Sequence, residues 1–192
     1  MENNLALTFA PLTPQHWDAF ETLFGERGAC GGCWCMWFRV PNKEFEGQKG
    51  LGNKAAMYEI VHSGRIPGIL AFHNNEAVGW CSVAPREEFS RLQRSRILQP
   101  VDELPVWSVV CLFVRKDYRR KGVSTQLLQS AIDYVKSRGG SIVEGYPVDA
   151  KGETIPDAFA YYGLASSFLQ AGYEEVARRS EIRPIMRYVI QK

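Results

Sequence analysis

The stretch of residues 106–138 constrains the fold of this 192-residue chain more than any other part of the sequence. Residues 106–114 form a nearly unbroken apolar run, which is typical of a central strand buried on both faces. Residues 124–138 then predict a helix that ends at Gly139-Gly140. Its apolar stripe consists of Leu127, Leu128, Ala131, Ile132 and Val135. A buried strand followed by an amphipathic helix favours an α/β layer structure.

The remaining elements surround this unit on both sides. Strands are predicted at residues 5–10, 68–72, 77–83, 141–146, 173–179 and 185–190, and helices after Thr13 and at residues 53–62, 87–97 and 166–171. Asn74 and Asn75 separate two of the strands and predict a hairpin. The mixed order predicts one domain, residues 1–192, of the α/β (α+β) class with helices packed on one sheet.

Composition limits the partners and the compartment. The net charge of +2, with 23% charged residues, disfavours a nucleic-acid or membrane partner. No apolar run is long enough to span a bilayer, and residues 1–13 lack the pattern of a signal peptide. Five cysteines, an odd number, suit free thiols in a reducing compartment better than a disulfide scaffold. We therefore expect a cytoplasmic protein.

A basic loop joins the buried strand to the amphipathic helix. Five of the seven residues 115–121 are Lys or Arg, and Gly122 follows them. The start of a helix presents unpaired N–H groups and a partial positive charge, and a glycine there lets the backbone approach a ligand closely. The pattern indicates a phosphate site, whereas the alternative is a solvated basic turn. The spacing matches neither a Walker loop nor a dinucleotide GxGxxG motif.

Residues 112–124, LFVRKDYRRKGVS, resemble motif A of the GNAT N-acetyltransferases, whose core is Arg/Gln-x-x-Gly-x-Gly/Ala. Arg119 and Gly122 match this core, and Ser124 replaces its last small residue. The resemblance implies acetyl-CoA as co-substrate, a mixed, mostly antiparallel sheet flanked by helices, and acetyl transfer to a primary amine of a small molecule or peptide. The cofactor-binding residues that it implies are Leu112, Phe113, Val114, Arg119, Arg120, Lys121, Gly122, Val123, Ser124 and Thr125. Backbone N–H groups near Leu112 would polarise the thioester carbonyl.

Glu144 is the candidate general base, because some members of the family place a glutamate on the corresponding strand. Strand alternation puts Ile142, Glu144 and Tyr146 on one face, so we expect a carboxylate among apolar neighbours, a setting that suits a base. The alternative is a structural carboxylate paired with an arginine.

The general acid is less evident from the sequence. The segment that matches the family here is residues 168–173, FLQAGY. Its first position is a tyrosine in many family members, but here it is Phe168, which cannot donate a proton. Tyr161 and Tyr162 lie one to two turns upstream and are the candidate acids. The alternatives are that both tyrosines pack in the core or line the acceptor site.

Residues 30–38, CGGCWCMWF, are the most unusual stretch. A closed zinc site normally needs four ligands, and the sequence offers no second C-x-x-C or His pair, so we expect no metal. A redox thiol pair is the other chemical alternative. We favour Trp34, Trp37 and Phe38 as a wall of the acceptor pocket or as core.

Two functions therefore remain open on the sequence. The first is an acetyl-CoA-dependent N-acetyltransferase with an unidentified amine acceptor. The second is a CoA-binding regulatory module of the same fold without catalysis, an alternative that the phenylalanine at position 168 keeps open. The resemblance also allows a homodimer.

Overall fold

One seven-stranded sheet organises the protein. The computed structural model describes residues 5–151 and 160–191. In them the strands follow the order β1-β2-β3-β4-β5-β7-β6, and the pair β4–β5 is parallel while the other neighbouring pairs are antiparallel. The strands are β1 (Thr8–Pro11), β2 (Gly68–His73), β3 (Glu76–Pro85), β4 (Trp107–Val114), β5 (Ile142–Gly145), β6 (Glu174–Arg178) and β7 (Pro184–Val189). The predicted mixed, mostly antiparallel sheet is confirmed.

Helices cover both faces of the sheet. They are α1 (Trp17–Phe24), α2 (Asn42–Gly47), α3 (Leu51–His62), α4 (Ser90–Arg94), α5 (Val123–Ser137) and α6 (Ala165–Gln170), with 3₁₀ turns at Pro14–His16, Arg86–Glu88, Lys116–Tyr118 and Ala160–Tyr162. The prediction of a continuous helix at residues 87–97 is wrong. Phe89 has non-helical backbone angles (φ −111°, ψ 85°) and separates a 3₁₀ turn from α4, and its ring is fully buried.

The hairpin between β2 and β3 is confirmed. Asn74 and Asn75 have φ values of 50° and 65°, which is the left-handed pair that a two-residue hairpin turn requires. Asparagine tolerates this region better than most residues do, so the local sequence determines the turn.

Strand alternation divides the core between the two faces of the sheet. Ile69, Ala71 and Cys81 face α5 and α6, whereas Leu70 and Trp80 face α1, α3 and the cysteine-rich loop. The second face is unusually aromatic, and the Phe20 and Trp80 rings meet edge to face at 4.9 Å. Consequently the loop of residues 30–38 forms part of a packed layer over β3 and β4.

None of the helices within residues 5–151 and 160–191 is long and apolar enough to cross a membrane.

Candidate active site

The sheet opens where β4 and β5 diverge. The two strands pair only from Trp107–Val143 to Val109–Gly145, although β4 continues to Val114. On its other side β4 bulges, because Val83 pairs with Val109 while Ser82 pairs with Cys111. The extra residue, Val110, bends the strand. The bulge and the divergence together open one edge of β4 in the middle of the sheet.

The basic loop lies at the end of this open strand. Gly122 immediately precedes α5 and has left-handed backbone angles (φ 74°, ψ 3°), and Arg120 also has a positive φ of 59°. A backbone that alternates between right- and left-handed conformations turns successive N–H groups toward one point and forms an anion-binding nest. The Arg119 side chain anchors the loop, since its Nε donates to the Val114 carbonyl oxygen at 3.1 Å. The geometry therefore fits a diphosphate at the start of α5.

The basic side chains of the loop differ in their partners. Arg115 is bound to Asp117 and Glu76, so its charge is already balanced at the surface. Arg120 and Lys121 are exposed, and the Lys121 Nζ lies 5.4 Å from the centre of the Tyr118 ring. Exposed cations next to a helix start are suited to meet a phosphate, whereas Arg115 is occupied.

The other predicted cofactor residues occupy different positions around the opening. Leu112 is buried toward α5, whereas Phe113 lies on the opposite face of the sheet. The Thr125 hydroxyl donates to the Gln170 side-chain oxygen at 3.2 Å and so connects α5 to α6. Val123 is buried and Ser124 half-buried. Alternate residues of β4 face opposite sides of the sheet. An extended ligand that lay along this edge would therefore contact their backbone more than their side chains.

Glu144 does not lie among apolar side chains, so that expectation is wrong. Its carboxylate is fully buried, and it accepts from Arg187 Nε at 2.6 Å, from the Tyr146 hydroxyl at 2.6 Å and from Arg86 Nη1 at 3.2 Å. Asp102 binds the far side of Arg187. Three donors, two of them from arginines, hold this carboxylate, so the geometry favours the structural alternative, a carboxylate that holds two arginines.

The sequence does not reveal this network of charges. Arg86 follows β3, Arg187 lies on β7 and Asp102 lies in the connection before β4, so no local spacing links them. Tyr146 was the available indication, because alternation places it beside Glu144. Burial raises the pKa of the Tyr146 phenol well above its ordinary value, so it remains a proton donor to Glu144.

The two candidate acids have different surroundings. Tyr161 is half-buried and lines the cavity described below. Burial raises the pKa of its phenol, so the hydroxyl keeps its proton at neutral pH. Tyr162 instead contacts Phe38 and lies under the Arg183 guanidinium at 3.7 Å. The structure therefore favours Tyr161 over Tyr162 as a donor toward a reacting group.

Phe168 is a packing residue. It is fully buried, and its ring rests on the backbone of Gly145 so closely that a Cβ at Gly145 would come within 2.1 Å of the ring. The same ring contacts Gly163. The glycines leave room for a phenyl ring, and this contact fixes the end of β5 against α6.

We expect Phe168→Tyr to lower the free energy of unfolding by about 1–3 kcal/mol, because the added hydroxyl overfills the site, and to give no gain in turnover. Tyr161→Phe is the matched variant, because it makes the reverse change and removes a hydroxyl. It should leave stability nearly unchanged and lower turnover. Urea unfolding and a thiol-release assay measure both effects. A more active Phe168→Tyr variant would contradict the packing role.

An apolar cavity of about 230 Å³ lies on the aromatic face of the sheet, beside the open edge of β4. Its walls come from the cysteine-rich loop, from α2 and from β4. They are formed by Phe24, Ala29, Cys30, Gly31, Cys33, Cys35, Trp37, Phe38, Phe45, Glu46, Lys49, Val110, Cys111, Phe113 and Tyr161. Trp37 and Phe38 thus line a cavity, while Trp34 is 3% exposed and packs in the core against Phe24.

Among residues 5–151 and 160–191 no group of three or more His, Cys, Asp or Glu side chains is arranged to hold a metal ion. Each of the five cysteines lies in these residues and carries a free thiol.

Comparison with known proteins agrees with this geometry. The model of the acetyltransferase (GNAT) family matches residues 34–147, a segment that contains the basic loop and most of the cavity wall. Comparison with curated protein sequences gives no match. The family's acetyl donor is acetyl-CoA. The start of α5, where Gly122 has a left-handed backbone conformation, fits the diphosphate of acetyl-CoA.

Solved structures show the same fold at low sequence identity. A GNAT acetyltransferase of Listeria monocytogenes has a TM-score of 0.60 and 8% identity, covering 99% of this chain and 98% of that one. One from Streptococcus agalactiae has a TM-score of 0.58 and 12% identity, covering 97% and 96%. The PaiA N-acetyltransferase of Thermoplasma acidophilum, solved with coenzyme A, has a TM-score of 0.53 and 13% identity, covering 97% and 100%. Together with the family match over more than half of its length, this geometry establishes that the chain belongs to the GNAT acetyltransferase family.

Proposed function

We propose that the protein is an N-acetyltransferase that transfers the acetyl group of acetyl-CoA to a primary amine of a small molecule or peptide with an apolar or aromatic group next to the amine. The observation that carries this proposal is the apolar cavity beside the open edge of β4. Val110, Cys111 and Phe113 belong both to that edge and to the cavity wall. A donor bound along the strand and an acceptor in the cavity would therefore meet at the bulge.

Each part of this chain has a definable task in the transfer. The loop of residues 119–124 would hold the diphosphate of the donor, which supplies the activated acetyl group. Backbone N–H groups of β4 at the bulge would stabilise the developing oxyanion, as preorganised backbone donors do in acyl transfer. The Tyr161 hydroxyl would donate a proton to the departing thiolate.

The cavity wall limits the acceptor. Its interior is lined by aromatic rings and thiols, whereas Glu46 and Lys49 form an ion pair at the exposed end. An apolar group would displace water from the interior at a gain of about 25 cal/mol per Å², while a highly polar chain would lose hydrogen bonds there. We therefore expect aromatic and aliphatic amines to be better acceptors than sugars or polyamines.

A panel of amines tests the proposal. We expect acetyl-CoA to release free thiol in the presence of aromatic or aliphatic amines, and mass spectrometry to show the acetylated amine. Acetyl-CoA binding in calorimetry, with no release of the CoA thiol in the presence of any amine, would instead support the regulatory module without catalysis. An absence of acetyl-CoA binding would contradict both functions.

Trp37→Ala should raise the KM for an apolar amine by at least about tenfold, because it removes one aromatic wall of the cavity. The Trp37 ring packs edge to face on Phe45 at 5.0 Å, and the Arg91 guanidinium lies 3.6 Å above it. Acetyl-CoA affinity should not change. Trp107→Ala is the matched control, since Trp107 is also half-buried but packs on Tyr134 away from the cavity. Equal effects of the two variants on KM would contradict the location of the acceptor.

A further inference from the structure

Four thiols line the proposed acceptor cavity. Cys30, Cys33 and Cys35 come from the loop, and Cys111 comes from β4. Cys111 is the residue that follows the bulge at Val110, so it stands at the open edge of the strand. Cys35 is 4% exposed and contacts Cys111 in the same aromatic cluster. The cavity therefore ends on a pair of thiols next to the position proposed for acyl transfer.

The surroundings of the Cys35 sulfur are those of a stabilised thiolate. The Trp80 indole Nε1 donates to the Cys35 Sγ at 3.2 Å, and Cys111 belongs to the same side-chain cluster. The hydrogen bond from Cys111 is the largest of the effects that lower the pKa of Cys35 to about 7, and the nearby Arg39 charge acts in the same direction. The interaction with Cys35 and burial raise the pKa of Cys111. Cys35 is therefore the more acidic thiol of the pair.

The backbone that presents this sulfur is strained. Trp34 and Cys35 have φ values of 42° and 61°, although neither is a glycine, and such residues cost about 1–3 kcal/mol each. Packing enforces the strain, because the Trp34 ring lies against Gly28, where a Cβ would come within 2.4 Å of it. Strain of this kind clusters at functional sites, where it directs a side chain that relaxed backbone would not.

We propose that Cys35 is a catalytic nucleophile that takes the acetyl group from acetyl-CoA and passes it to the amine. This inference rests on the proposed function and adds a covalent step to it. The Cys35 thiolate attacks the thioester carbonyl carbon, so a new carbon–sulfur bond forms to Cys35 and the bond to the CoA sulfur breaks. The CoA thiolate leaves and takes a proton from Tyr161 or solvent. The exchange of one thioester for another needs no oxidant or reductant.

The second half of the reaction restores the thiolate. The neutral amine attacks the acetyl-Cys35 carbonyl, the carbon–nitrogen bond forms, and the Cys35 sulfur leaves as the anion. The amine nitrogen loses its proton to the Tyr161 phenolate, or to solvent where solvent supplied the first proton. The hydrogen bonds from Trp80 and Cys111 stabilise the sulfur in the state in which it attacks and leaves, which is the role of an activating partner in nucleophilic catalysis.

Acylation in the absence of acceptor tests the proposal. The full chain is incubated with acetyl-CoA alone, quenched in acid, and examined by intact-protein and peptide mass spectrometry. We expect the added mass of one acetyl group on Cys35. Neutral hydroxylamine should remove this group, as it removes other thioesters. An accepting amine should also remove it, at a rate at least equal to the turnover rate. Cys35→Ala should lose the label completely. Cys81→Ala, a buried thiol on the other face of the sheet, should keep it.

A second measurement needs no variant. The rate at which iodoacetamide alkylates Cys35 in the wild-type chain should rise with pH around a midpoint near 7, whereas burial raises the pKa of Cys33 and its alkylation should require higher pH. Cys111 and Cys81 are the other titratable groups near Cys35, and Arg39 is the nearby fixed charge.

The outcomes separate this step from the proposed function. A chain that acetylates amines without a label on Cys35, or with a label that forms more slowly than turnover, overturns the relay and leaves the N-acetyltransferase in place. A label only on lysine also overturns it. A chain that does not bind acetyl-CoA in calorimetry overturns both.

Discussion

Gly122→Val is expected to reduce acetyl-CoA binding below detection. Gly122 has a φ of 74° and caps the start of α5, where the unpaired N–H groups of the helix would meet the diphosphate. A β-branched side chain disfavours this left-handed backbone by about 1–2 kcal/mol and places methyl groups where the ligand must approach. Isothermal titration calorimetry with acetyl-CoA gives the affinity.

A matched glycine at the other end of the same helix controls for strain. Gly139 has a φ of 78°, and a Cβ added there would meet no atom within 4 Å. Gly139→Val therefore introduces the same unfavourable backbone at a site far from the basic loop, and it should bind acetyl-CoA with nearly wild-type affinity. Unchanged affinity in Gly122→Val would remove the donor site from this loop.

Glu144→Gln should lower the free energy of unfolding by about 3–5 kcal/mol, the usual effect of removing one member of a buried ion pair. The Glu144 side chain is 0% exposed and those of Arg86 and Arg187 are 12% and 7% exposed. A neutral amide would leave both guanidinium groups without their shared counter-charge, and its NH₂ would face donors rather than acceptors. Urea denaturation monitored by tryptophan fluorescence measures the change.

The control for this variant is a glutamate that also pairs with arginine but lies in water. Glu175 binds Arg178, with side chains that are 40% and 31% exposed, and such a pair contributes about 0–1 kcal/mol. Glu175→Gln should therefore have little effect. If Glu144→Gln keeps its stability and its acetyl-CoA affinity but loses about 10²–10⁴-fold in turnover, the size expected of a general base, Glu144 returns as the catalytic base.

These two experiments concern residues that the sequence revealed to different degrees. The loop around Gly122 could be recognised from the sequence because all of its parts are adjacent in the chain: an apolar strand, a glycine and an amphipathic helix. Local chemistry also determines the left-handed backbone at Gly122 and at the asparagines of the hairpin. The resemblance to the GNAT family rested on this one segment, while the order of strands and helices along the chain predicted the α/β (α+β) class.

The surroundings of Glu144 could not be read in the same way. Alternation along β5 correctly predicts which face it occupies, but the identity of its neighbours depends on strands and connections that are distant in the chain. Arg86 is 58 residues away and Arg187 is 43 residues away. Tertiary packing decided whether this buried carboxylate would face apolar groups or cations.

The cysteine-rich loop shows the same division. Its composition by itself determined that thiols and aromatic rings would be concentrated in one place, and it allowed a metal site, a redox pair, a pocket wall or core. Only the tertiary structure brought Cys35 next to Cys111, 76 positions further along the chain, and the Trp80 indole to the Cys35 sulfur. The physical reason is that hydrogen bonds and burial, which set the reactivity of a thiol, come from whatever the fold packs against it and not from its neighbours in sequence.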